Sequence, residues 1–125
     1  MLKKYFNRFP HAFRGLFYAA IHDFGYRTQL YLGVAIGVGI FTFYNPITRF
    51  EFLFSLLAYF LILITELQNS ALEAALDRLH PELHDDIKIS KDMAAGAVLT
   101  AAVFLLIVLT VIGYSRFIQD IPISI

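Results

Sequence analysis

The run Met93-AAGAVLTAAVFLLIVLTVIGY-Ser115 carries no charged side chain between Asp92 and Arg116. A hydrocarbon core about 30 Å thick needs roughly 20 apolar residues rising ~1.5 Å each, and this run meets that length. Toward the N-terminus lie two more uncharged windows. One runs from Thr28 to Thr48, between Arg27 and Arg49, with Asn45-Pro46 as a breaker near its end. The other runs from Phe52 to Thr65, between Glu51 and Glu66. It is short, and completes a crossing only if the helix continues past Glu66. Composition agrees with a membrane class. Of 125 residues, 58% are hydrophobic and 16% charged, and the mean hydropathy is +0.66. Soluble domains are about 45–50% apolar and about 25% charged, and one of this size cannot enclose so much apolar surface. The expected fold is all-α and integral to a membrane.

Several chemistries are excluded at once. There is no cysteine, so disulfides, thiolate catalysis and Cys-based zinc sites are absent. A formal net charge of zero gives no electrostatic basis for binding nucleic acid. The N-terminus does not read as a cleavable signal peptide, because His11, Arg14, His22 and Asp23 interrupt the apolar stretch that one requires. No Gly-rich loop ends in Gly-Lys-[Ser/Thr], so any nucleotide is held by some other cradle.

Lysine and arginine are unevenly shared. Lys3, Lys4, Arg8, Arg14 and Arg27 precede the first window, and Arg78, Lys88 and Lys91 lie between the second and third. Only Arg49 and Arg116 fall on the opposite side. The positive-inside rule then predicts a cytoplasmic N-terminus and an external C-terminus. Before the first window, Phe6, Phe9, Phe13, Leu16, Phe17, Ala20 and Phe24 recur on one helical face. That pattern predicts an amphipathic helix at the interface, with Pro10 bending it or marking its start. The expected segments of the single membrane domain 1–125 are a surface helix over 1–27 and a first span over 28–48. A second span over 52–78 extends into the cytoplasm and a loop follows over 79–90. A third span over 91–116 and an external tail over 117–125 complete the chain.

The stretch from Thr65 to Arg78 contains no Gly or Pro, so the helix of the second window should run on through it. Glu66, Asn69, Glu73 and Asp77 are separated by steps of three, four and four, which puts them on one narrow stripe with Ser70 beside it. Stacked carboxylates repel one another, and near hydrocarbon they are costly. A divalent cation or a cationic partner would compensate; so would simple exposure of the stripe to solvent. Lys91 and Asp92 open the third span, where an Asp also suits the helix dipole. Ala94, Ala95, Gly96 and Ala97 follow, and Gly33 and Gly37 form a similar small-residue pair that permits close helix contact. Asp23, Arg27 and Gln29 stand at the junction before the first span. All these polar groups fall at one depth. His80, His84, Asp85 and Asp86 match no standard zinc spacing and read as a solvated loop.

Two blocks carry a family resemblance. Glu66-Leu-Gln-Asn69-Ser70-Ala71-Leu72-Glu73-Ala74-Ala75-Leu76-Asp77-Arg78 resembles the E-x-x-N-[ST]-A-[IL]-E-x-x-x-D block of the prokaryotic diacylglycerol kinases, a family that includes undecaprenol kinases. Lys91-Asp92-Met93-Ala94-Ala95-Gly96-Ala97-Val98 is similar to its A-K-D-x-[AG]-[AS]-[AG]-A-V block, and Phe13-Arg14-Gly15-Leu16 to its surface-helix element. The resemblance implies a homotrimeric bundle of subunits, each with a surface helix and three spans. It implies transfer of the ATP γ-phosphoryl group to the hydroxyl of a membrane lipid alcohol, diacylglycerol or undecaprenol, at the cytoplasmic face. Carried over residue by residue, Glu66 is the general base and Glu73 binds Mg²⁺. Asn69, Glu73, Asp77, Lys91 and Asp92 hold nucleotide. Arg14, Glu66 and Ser70 meet the lipid. Asp23 stands where the family has a metal-binding Glu and is one methylene shorter, and Ser90 replaces the Ala before the Lys-Asp pair. Read from the residues alone, the same acidic stripe also suits a non-enzymatic scaffold or a small ion-pathway subunit whose polar cavity is lined by Glu66 and Glu73.

Overall fold

The computed structural model describes residues 6–82 and 84–119. Four helices follow one another: α1 (Phe9–His22), α2 (Phe24–Phe43), α3 (Arg49–Leu79) and α4 (Asp85–Gln119). Pro10 sits in the first turn of α1, where its missing N–H removes no helical bond. The expected surface helix 1–27 is shorter. It ends at His22 because Asp23 adopts an extended conformation and caps α2, its Oδ1 accepting the Tyr26 N–H at 2.6 Å. Residues 1–5 of that segment lie outside the described residues. α2 stops at Phe43, before Asn45-Pro46, as the bias of a pre-proline residue against helix requires.

α3 is continuous from Arg49 through the whole acidic stripe to Leu79. Its start is a capping box. Thr48 Oγ1 accepts the Glu51 N–H at 3.2 Å, and Glu51 Oε2 accepts the Thr48 N–H at 2.8 Å. The loop expected over 79–90 is a correction: α4 already begins at Asp85. His84 Nδ1 accepts the Asp86 N–H at 3.3 Å, and Asp85 and Asp86 place negative charge in the first turn. Ser90 is therefore helical, its hydroxyl donating to the Asp86 carbonyl. α4 runs on to Gln119, so the start of the expected tail is helical too, and 120–125 lie outside the described residues.

Among the described residues, α3 and α4 are the helices long and apolar enough to cross a membrane. α2 falls short of that measure, since its 20 residues include the polar run Arg27, Thr28 and Gln29 near the start. The core is small. Ala58 and Ile62 of α3 pack against Ala101, Leu105 and Val108 of α4, with Ile36 of α2 alongside. Ala58 and Ala101 lack bulk, which lets the two helices approach closely. Ala19, Tyr26 and Leu63 join α1, α2 and α3. Phe41, Phe43, Leu99 and Leu106 are more than 60% exposed. Lipid, rather than water, is the environment that tolerates such a surface.

α3 and α4 are antiparallel and clamped at both ends. At one end Arg116 grips Glu51 through two bonds, Nε to Oε1 at 2.8 Å and a terminal nitrogen to Oε2 at 2.6 Å. The same nitrogen donates to the Pro46 carbonyl at 2.9 Å, and the guanidinium lies 5.8 Å from the centre of the Tyr44 ring. At the other end Lys91 Nζ meets Asp77 Oδ1 at 2.8 Å. α2 is held to α3 by the Tyr59 hydroxyl, which donates to the Gln29 carbonyl at 3.2 Å. A Cβ at Gly33 would overlap the Tyr59 ring, so glycine is what allows this approach. Gly37 and Gly96, from the same expected small-residue clusters, face open space within the chain.

Candidate functional site

Because α3 does not break, Glu66, Asn69, Glu73 and Asp77 form one stripe along it. Glu66, Asn69 and Glu73 are half-buried. Glu66 packs against the break between α1 and α2, so tightly that a Cβ at Gly25 would overlap its Oε1. Asp23 Oδ1 lies 3.5 Å from that same point. Glu66 thus sits within electrostatic range of both Asp23 and Glu73. No sequence pattern announced Gly25, although the absence of a side chain there is what admits the carboxylate.

Two clefts lie along this part of α3. Between α1 and α3 a cavity of ≈ 690 Å³ is bounded by Gly15, Ala19, His22 and Asp23 on one side and by Ser70 and Ala74 on the other. Ser70 lines this cavity, whereas Arg14 is exposed on α1 and takes no part in the lining. On the other side, a cleft of ≈ 300 Å³ brings Glu73 and Asp77 of α3 together with Lys91 and Asp92 of α4. Lys91 feels the charge of Glu73 as well as of its partner Asp77. Asn69 Oδ1 is buried without a hydrogen-bond partner, an acceptor awaiting a donor. The structure thus gathers four of the six residues expected at the nucleotide and base positions into this cleft, while Asn69 and Glu66 lie on the same stripe of α3 without lining either cavity.

His80 and His84 line the mouth of the smaller cleft, where the sequence suggested only a solvated loop. Among the described residues no three His, Asp or Glu side chains cluster as a metal cage. Mg²⁺ does not need one: it takes one or two carboxylates and completes its shell with phosphate oxygens and water. Glu73 suits that role. Asp23 suits it less well, since its Oδ1 already caps α2.

Residues 10–113 match the family model for prokaryotic diacylglycerol kinase. The chain belongs to that family. It is similar to the diacylglycerol kinase of Escherichia coli K12, with 30% identity over 108 residues covering 86% of each chain. It is also similar to the diacylglycerol kinase of Synechocystis, with 35% identity over 101 residues, 80% of this chain and 57% of that one. The family match runs from the first turn of α1 to Gly113 in α4, so both cavities and the acidic stripe lie within it.

Proposed function

We propose that this family member transfers the γ-phosphoryl group of ATP to the hydroxyl of diacylglycerol at the cytoplasmic face of the bacterial inner membrane. The observation that carries this reading is the position of Glu66, a half-buried carboxylate packed at Gly25 within electrostatic range of Asp23, which lines the larger cleft, and of Glu73, which lines the charged one. The lipid enters sideways beneath α1, with Ser70 at its headgroup and Arg14 at the interface. Glu66 accepts the hydroxyl proton as the new oxygen–phosphorus bond forms, and ADP leaves with the bridging oxygen. General-base assistance of this kind contributes about 10²- to 10⁴-fold. Asn69, Asp77, Lys91 and Asp92 position the nucleotide. Mg²⁺ bound by Glu73, with Asp23 as the second carboxylate, would neutralise phosphate charge, and phosphoryl transfer needs little more than such positioning.

α2 forms the third span in this reading, its Arg27 and Gln29 remaining at the cytoplasmic level. Eight of the ten lysines and arginines then lie on the inner side. Three subunits assembling as a trimer cover the apolar faces that one subunit leaves open. Purified protein in mixed micelles should consume ATP only when a lipid alcohol and Mg²⁺ are supplied, with diacylglycerol and undecaprenol compared side by side. Glu66→Gln should abolish turnover. Full activity in that variant would refute the base assignment.

A further inference from the structure

The smaller cleft holds two ammonium groups. Lys88 and Lys91 are three residues apart on α4, so both side chains face the same side, and both line the cleft. Their circumstances differ. Lys91 is tied to Asp77 at 2.8 Å and lies within range of Glu73. Lys88 is exposed, and its side chain has no partner among the described residues; its backbone N–H donates to the His84 carbonyl at 3.0 Å. The carboxylates of Glu73, Asp77, Glu82 and Asp92 line the same cleft. Against four carboxylates, a polyanion needs every available cation, and one of the two is already neutralised.

We propose that Lys88 is the second phosphate-binding cation of this kinase, holding the α- and β-phosphates that ATP and ADP share. The proposal rests on the nucleotide reading above. α3 and α4 are antiparallel, so the order along the bundle is Glu66, then Glu73, then the Asp77–Lys91 pair, and last Lys88, about one helical turn (~4.5 Å) farther from the spans. With the γ-phosphoryl group directed at Glu66, the outer position meets the part of the nucleotide that does not react. A contact made equally before and during transfer lowers KM without changing kcat. Lys91, nearer the reacting group, governs turnover instead. Asp85 and Asp86 already occupy the first turn of α4, so the helix N-terminus does not substitute for the lysine.

The test is steady-state kinetics of the full chain in mixed micelles, with ADP as product inhibitor. Lys88→Ala should raise both the KM for ATP and the inhibition constant for ADP about 5- to 10-fold, with kcat within twofold of the parent. Lys88→Arg should restore both constants, since charge rather than shape is required at an exposed position. An unchanged KM in Lys88→Ala, or an equal loss of kcat that Lys88→Arg fails to repair, overturns the proposal. Glu66→Gln in the same preparation separates the two levels. An inactive Glu66→Gln beside a normal Lys88→Ala removes only the role of Lys88, whereas an active Glu66→Gln removes the site on which that role depends.

Discussion

Replacing Gly25 by alanine should separate stability from activity. Gly25 is in the first turn of α2, and alanine in a helix is favoured over glycine by at most about 0.5–1 kcal/mol. The added Cβ would fall inside the contact distance of Glu66 Oε1 and 3.0 Å from its Cδ. The atoms in the way are the far end of a flexible side chain, so the fold yields by turning the carboxylate and leaves both helices in place. Ordinary contact resumes near 3.4 Å. Reaching it moves the carboxylate by more than the ~1 Å misplacement that costs about 10² in a positioned reaction. Complete loss of base assistance sets the other bound, about 10⁴. Gly25→Ala should therefore lower kcat by about 10²- to 10⁴-fold in a mixed-micelle assay with diacylglycerol. The KM for ATP should be nearly unchanged, because neither Gly25 nor Glu66 lines the cleft proposed for the phosphates. Unfolding followed by circular dichroism should show no loss of stability. A folded variant that keeps more than half of the parent activity would show that the position of Glu66 does not matter to the chemistry.

Gly33 tests packing instead of catalysis. Here the obstacle is an aromatic ring whose hydroxyl is bonded to α2, so Gly33→Val should destabilise the bundle by about 1–3 kcal/mol through overpacking, with Tyr59→Ala in the same chain relieving most of that loss. The Glu51–Arg116 pair is bidentate, and its side chains are only 16% and 22% exposed. A double-mutant cycle of Glu51→Gln and Arg116→Leu, read by denaturant unfolding in detergent, should show a coupling of about 1–3 kcal/mol; a coupling near zero would mean that the clamp is ornamental.

Much of this was legible because two periodicities survive in the sequence: unbroken apolar runs, and a polar step of three and four residues. Glu66, Asn69, Glu73 and Asp77 share a stripe as a matter of helical geometry, and no tertiary information was needed to align them. The break at Asp23 was less visible. Aspartate is a good cap, but the neighbouring apolar pattern ran past it, and the competing charge of Arg27 suggested the later boundary. The early start of α4 escaped for a related reason, since Asp85 and Asp86 look like loop residues unless they are read as the acidic first turn of a helix. The Thr48-x-x-Glu51 capping box was readable in advance. Its connection to Arg116, 65 residues away in the chain, was not. Gly25 and Tyr59 belong to that same class: close approaches between helices depend on rotation and depth, which a one-dimensional pattern does not contain.

The break at Asp23 also explains why one short segment touches both halves of the site. Asp23 terminates α1, which roofs the larger cleft, and its carboxylate simultaneously caps α2. Two residues later, Gly25 makes room for Glu66, which reaches toward the charged cleft through its neighbour Glu73. In the proposed function, a movement of α1 that admits a lipid pivots at this break, because His22 and Phe24 on either side are already helical. The carboxylate at Glu66 rests against that pivot. In the proposed function, lipid entry beneath α1 and placement of the base are thereby linked through Asp23, with no need for a longer path through the bundle.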